Sequence, residues 1–76
     1  MRKVTTMGEK IGSVIRQARK AAGKKQGELA DALGVPQSQV SDWERGAVVP
    51  GVESLKKIGP AIHIDVSVLI GALVNS

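Results

Sequence analysis

An all-α fold of five short helices is predicted by three features of this chain. Its apolar residues, 42% of the total, recur at spacings of three and four rather than two. Phe and Tyr are absent and Trp43 is the single aromatic, so the core must be built from Ile, Leu, Val and Ala, which suits packed helices better than a β-sandwich. Glycine follows the apolar stretches at Gly23, Gly34 and Gly46, where a helix end favours a residue that tolerates a left-handed backbone. At 76 residues the chain is one compact domain with one modest core, hiding about 60% of the unfolded surface.

Residues 1–5 read as a flexible basic arm carrying Arg2 and Lys3, and residues 6–74 as the folded domain. Thr6 and Glu9 have the spacing of a capping box and start the first helix. Ile11, Val14, Ile15, Ala18 and Ala22 lay one apolar stripe along it, ending at Gly23, while Arg16, Lys20 and Lys24 lie off the stripe. A second helix of about two turns runs from Gln26 to Leu33, burying Leu29, Ala30 and Leu33, with Gly34 as its left-handed cap. Gly34 and Val35 turn a tight corner into Pro36, whose fixed φ suits the start of a third helix reaching Arg45, capped by Gly46. Ala47 to Gly51 is a loop. A fourth helix follows with Leu55, Ile58 and Ile62 on one face, and Pro60 should kink it or end it early. Asp65 can cap a fifth helix bearing Val66, Leu69, Ile70 and Leu73, after which Asn75 and Ser76 fray.

Charge is divided along the chain. Residues 1–25 hold eight cations and one anion, the rest three and six, so the net +4 is a basic half of +7 and an acidic half of −3. The basic half is a candidate phosphate-facing surface, although lysines solvating the first helix would look the same. The absence of cysteine excludes a disulfide framework, a Cys-ligated zinc site and a thiol nucleophile. With one His, in a turn, no Gly-rich phosphate loop and no paired carboxylates, the chain does not read as an enzyme, and no metal or cofactor is expected. Charges interrupt every apolar stretch that could be a signal core or a membrane span, which points to the cytoplasm.

The third helix divides by geometry. At about 100° per residue, Val40, Trp43 and Glu44 fall on one side and Ser38, Ser41, Asp42 and Arg45 opposite, with Gln37 at the exposed first turn. The outer face is polar and short-chained enough to enter a major groove about 12 Å wide, and on spacing alone it is equally an ordinary wet surface. Trp43 reads as core.

The stretch Gln26-Gly27-Glu28-Leu29-Ala30-Asp31-Ala32-Leu33-Gly34-Val35, followed by Gln37-Ser38-Gln39-Val40-Ser41-Asp42-Trp43-Glu44-Arg45-Gly46, closely resembles the XRE-type helix-turn-helix family of lambda-type phage repressors, Cro proteins and their bacterial relatives. Ile11 to Gly23 upstream and Pro50, Leu55, Ile58, Ile64 and Leu69 downstream extend the likeness over roughly residues 8–72. The resemblance implies a lambda-repressor-like five-helix domain whose helices two and three form the helix-turn-helix. It also implies a sequence-specific regulator of transcription, a phage or bacterial repressor working at the nucleoid.

The same resemblance implies base reading by Gln37, Ser38, Ser41 and Asp42 in the major groove, where a Gln can bond adenine bidentately. Gln26 is implied as a phosphate contact that also supports Gln37, and Lys24, Lys25, Arg45, Arg2 and Lys3 are plausible further phosphate contacts. Arg19 and Glu44 match a scaffold ion pair between helices one and three. Two departures stand out: Pro36 replaces the usual Ser or Thr cap, and Asp42 places a carboxylate where phosphate would repel it, unless it accepts from cytosine N4. The expected partner is a pseudo-palindromic duplex operator. It would be bound by a homodimer joined through the C-terminal helix, whose Val66, Val68, Leu69, Ile70, Leu73 and Val74 are too apolar for a helix covering a small core. The alternative is a protein-binding module, an antitoxin or adaptor, with DNA binding weak or secondary.

Overall fold

A computed structural model of the chain describes residues 6–74, with side chains described for 10–72 and 74. Five helices follow in order: α1 (Thr6–Ala21), α2 (Gln26–Leu33), α3 (Gln37–Arg45), α4 (Val52–Ala61) and α5 (Val66–Val74), and no strand occurs among the described residues. The arm with Arg2 and Lys3, the side chains of Thr6, Glu9 and Leu73, and the C-terminal Asn75 and Ser76 lie outside what is described.

Each helix sends its apolar face to one core: Ile11 and Ile15 from α1, Leu29 and Ala30 from α2, Val40 and Trp43 from α3, Leu55 and Ile58 from α4, Leu69 from α5. α1 packs chiefly against α3 and α5, α2 against α3 and α4, and α4 against α5. Burying one Leu or Ile contributes about 1.5–3 kcal/mol, a large fraction of what holds so small a domain together. α1 therefore serves as the backing for α3, and the outward face of α3 is displayed from a packed base.

Four helices end alike. The residue beyond the last turn takes a left-handed φ at Gly23 (73°), Gly34 (72°), Gly46 (80°) and His63 (59°). After α4, the Ile64 amide donates to the Gly59 carbonyl at 2.9 Å and the His63 amide to Pro60 at 3.4 Å, the paired bonds of a Schellman cap. His63 thus stands where glycine has the lower conformational energy, although His tolerates this region better than most residues. A His63→Gly variant is expected to unfold about 2–4 °C higher and His63→Val lower. The reverse ranking in thermal melts would show that contacts of the imidazole outweigh the backbone.

The two prolines at helix ends refine the sequence expectations. Pro60 sits in the last turn of α4, which runs one residue past it and stops at Ala61, the early end that a missing N–H and a bulky ring impose. Ile62, counted from the sequence as part of that helix, is instead its C-cap, yet is still buried. Pro36 is not the first residue of α3 but its N-cap, with φ −65° and ψ 148°; the ring fixes φ alone, and the extended ψ puts the helix start at Gln37. Before α5, Asp65 Oδ1 accepts from the Ser67 amide and hydroxyl, both at 2.8 Å. The backbone bond first, and the hydroxyl second, hold the Asp65 carboxyl below the usual carboxylate range.

α5 buries Leu69 but leaves Val68 and Val74 exposed, at 50% and 73% of their surface. No helix is long and apolar enough to cross a membrane among the described residues.

Candidate nucleic-acid interface

The corner between α2 and α3 is built by three residues in succession. Gly34 supplies the left-handed turn, with the Val35 amide donating to Ala30 at 3.0 Å and the Gly34 amide to Asp31 at 3.2 Å. Pro36 then sets the direction of α3; its side chain cannot cap, and the Gln39 amide is bonded back to the Pro36 carbonyl at 3.0 Å. Leu29 and Ala30 beneath α2, and Val40 and Trp43 beneath α3, lock both helices to the shared core.

A hydrogen-bonded relay crosses the interface from behind. Arg19 on α1 donates from Nε to Glu44 Oε2 at 2.6 Å, from Nη2 to Glu44 Oε1 at 3.0 Å, and from Nη1 to the Lys24 carbonyl at 2.8 Å. The side chains of Arg19 and Glu44 are only 9% and 3% exposed. Glu44 Oε1 also accepts from Gln26 Nε2 at 3.0 Å, and Gln26 Oε1 in turn accepts from Gln37 Nε2 at 3.5 Å. A carboxylate only accepts, so Glu44 compels the Gln26 amide to present its NH2 inward and its carbonyl oxygen to Gln37. Gln37 then turns its own NH2 towards Gln26, keeping its carbonyl oxygen and one N–H for a ligand.

The electrostatics follow from this packing. Desolvation, the largest single influence, pushes the Glu44 carboxyl up. The hydrogen bonds from Arg19 and Gln26 and the charges of Arg19 and Arg16 together outweigh it and leave the group below its ordinary range. Arg19 is raised, first by its hydrogen bond to Glu44.

On the outward side, Gln37, Ser38 and Arg45 are exposed and Ser41 and Asp42 half-buried. Asp42 Oδ1 accepts from Arg45 Nη2 in an ion pair one turn long, so the carboxylate that departs from the family pattern carries its own counter-charge. Lys24 and Lys25 lie just before α2, Lys24 half-buried and Lys25 exposed, with the Lys25 amide donating to Glu28 Oε1 at 2.7 Å. The structure therefore brings Gln26, Gln37, Ser38, Ser41, Asp42, Arg45, Lys24 and Lys25 to the α2–α3 region, while Arg2 and Lys3 lie outside the described residues.

Sequence reasoning leaves three features unassigned. The contact of Glu44 with Gln26 joins residues 18 apart and has no local signal. Gly12, buried in α1, faces the backbone of α3, where an added Cβ would lie 2.5 Å from the Trp43 carbonyl oxygen and 2.8 Å from that of Glu44. A glycine interrupting a helical stripe is the signal that could have found it. Arg16 and Lys20 line a cleft with Ser13, Gln17, Glu44 and Arg45 beside the end of α3, and the basic balance of residues 1–25 was the available hint.

Comparison with known proteins gives consistent results. A family model described as helix-turn-helix matches residues 15–68. The ImmF control region 10 kDa protein of Bacillus phage phi105 is 39% identical over 62 residues, 82% of this chain and 69% of that protein. The cryptic phage CTXphi transcriptional repressor RstR of Vibrio cholerae is 34% identical over 82% of this chain and 55% of its own length, so the chain spans about half of that relative. Among solved structures, SinR, the master regulator for biofilm formation, in complex with DNA superposes with a TM-score of 0.73 at 34% identity, covering 79% of this chain and 97% of that one.

Proposed function

This chain belongs to the helix-turn-helix family of DNA-binding transcriptional regulators, and from that premise we propose that it is a repressor reading an operator in the major groove through α3. The observation that carries the reading is the pair of amides at the helix starts, Gln26 and Gln37, held in one orientation through Glu44 by the buried Arg19. Preorganised donors and acceptors lose little freedom on binding, so their hydrogen bonds are returned as affinity and discrimination. Gln37 offers the acceptor and donor that adenine N6 and N7 require. Ser38 and Ser41 read neighbouring base edges. Gln26, Lys24 and Lys25 beside α2, with Arg2 and Lys3 of the arm reaching the flank, engage phosphate and fix the register.

A homodimer on a pseudo-palindromic operator, with half-sites about 34 Å apart, accounts for the apolar surface that α5 exposes at Val68 and Val74. Residues 1–5 serve as the DNA-reaching arm of a domain that spans residues 6–74.

Selection from a random duplex library, with a Gln37→Ala, Ser38→Ala double variant alongside, tests the reading. The wild-type chain is expected to enrich a two-fold-related consensus that the double variant loses, with log K falling against log salt by about 0.9 per phosphate contacted. A lone half-site would refute the dimer. No enrichment, or enrichment indifferent to the double variant, would favour a domain whose partner is a protein.

A further inference from the structure

We infer that Arg45 reads a guanine from the major groove and that Asp42 is its positioning partner, an inference resting on the DNA-reading role of α3. Counting about 100° per residue from Gln37, Ser41, Arg45 and Ser38 fall at about 40°, 80° and 100° around the helix and Asp42 at about 140°. Arg45 therefore occupies the middle of the outward face rather than its margin. The two residues that share this line, Ser38 and Ser41, are short and leave the space above them open to a long side chain from the last turn.

Two forces turn the guanidinium along that line. Side chains on a helix lean towards its N-terminus, which here is the end opening the reading face at Gln37. The ion pair with Asp42, three residues earlier, fixes that lean, while Arg16 and Lys20 across the cleft on the other flank repel the charge from the opposite direction. Arg45 is 63% exposed at its side chain and retains further N–H donors beyond the one given to Asp42. A planar guanidinium held by a carboxylate behind it presents a two-donor edge matched to guanine O6 and N7, the commonest specific contact in the major groove. This arrangement also accounts for an acidic residue on a surface that approaches phosphate: paired with Arg45, Asp42 adds little net charge there and limits the rotamers of the reader.

A phosphate contact is the other role open to an arginine at this helix end, and the two roles differ in what they make of sequence. The test uses the selected operator and its single-base variants, with binding followed by fluorescence anisotropy at two salt concentrations. Wild-type, Arg45→Gln and Asp42→Asn chains are compared, each checked for an unchanged thermal midpoint. One position in each half-site is expected to prefer guanine, and Arg45→Gln should lower that preference about 5- to 150-fold while the other positions keep theirs. Asp42→Asn should weaken preference at the same position by a smaller factor. Equal loss by Arg45→Gln on every duplex, with the salt slope reduced by about 0.9, would make Arg45 a phosphate contact and overturn the inference. So would a change in preference at a different base pair on Asp42→Asn with the guanine untouched. Failure of the wild-type chain to prefer any duplex would instead overturn the DNA-reading role itself.

Discussion

Replacing Glu44 with alanine is expected to cost the fold about 3–5 kcal/mol, because it leaves the Arg19 guanidinium, 9% exposed, without its carboxylate. A domain of this size is stabilised by roughly 4–11 kcal/mol in all, so a large part of the population should be unfolded in warm buffer. Urea titration followed by the Trp43 fluorescence measures it, and an unchanged midpoint would mean that the Lys24 carbonyl and water suffice for Arg19. Glu44→Gln, which retains one acceptor and the shape, should cost less but affect binding more than folding. A carboxamide can present either its oxygen or its NH2 to Gln26, so the orientation passed on to Gln37 is no longer compelled.

The same carboxyl makes the fold sensitive to acid in a defined direction. Glu44 lies below its ordinary value of 4.5 in the folded chain, so its contribution is complete above that value and is lost as pH falls through the lower folded one. Asp65, also lowered, acts in the same sense. Subtracting the pH profile of Glu44→Gln from that of the wild type isolates the Glu44 part, which should be level above about pH 4.5 and fall away below it. A difference growing towards neutral pH would contradict the pairing.

Gly12→Ala is the second large effect. The new methyl would meet two backbone carbonyls of α3, at 2.5 and 2.8 Å, and neither can rotate away as a side chain would. Relief requires α3 to move off α1, at a cost of about 3 kcal/mol or more, against which alanine returns about 1 kcal/mol of helix propensity. The net loss of about 2 kcal/mol should lower the midpoint by roughly 10 °C. Gly71 in α5 is the control, since an added Cβ there meets nothing within 4 Å and alanine should stabilise. If both variants rise together, α1 does not approach the α3 backbone this closely. Because α1 backs the reading helix, the surviving folded Gly12→Ala chain should also bind its operator more weakly.

Much of this architecture is legible in the linear chain. Apolar spacing at three and four gives α1 through α5, left-handed glycines mark where helices one, two and three stop, and Pro60 and Asp65 punctuate the C-terminal pair. These signals are local: each depends on the φ preference of one residue or on which side of one helix a residue falls. His63 in a left-handed cap is less legible, because the turn that demands it is set by how α5 docks on α4. Gln26, Gln37 and the outward face of α3 are visible through their likeness to a known pattern and their helical spacing.

What the sequence by itself determined, then, is the set of helices, their caps and the face of α3 that stays polar. Only the tertiary structure decided that Glu44 serves Arg19 and Gln26 at once and that Gly12 is a point of backbone contact. Each of these depends on the distance and angle between α1, α2 and α3, which result from the summed packing of Ile11, Ile15, Leu29, Val40 and Trp43 in one core. No single residue's preference encodes that sum, so it becomes visible only when the helices are assembled.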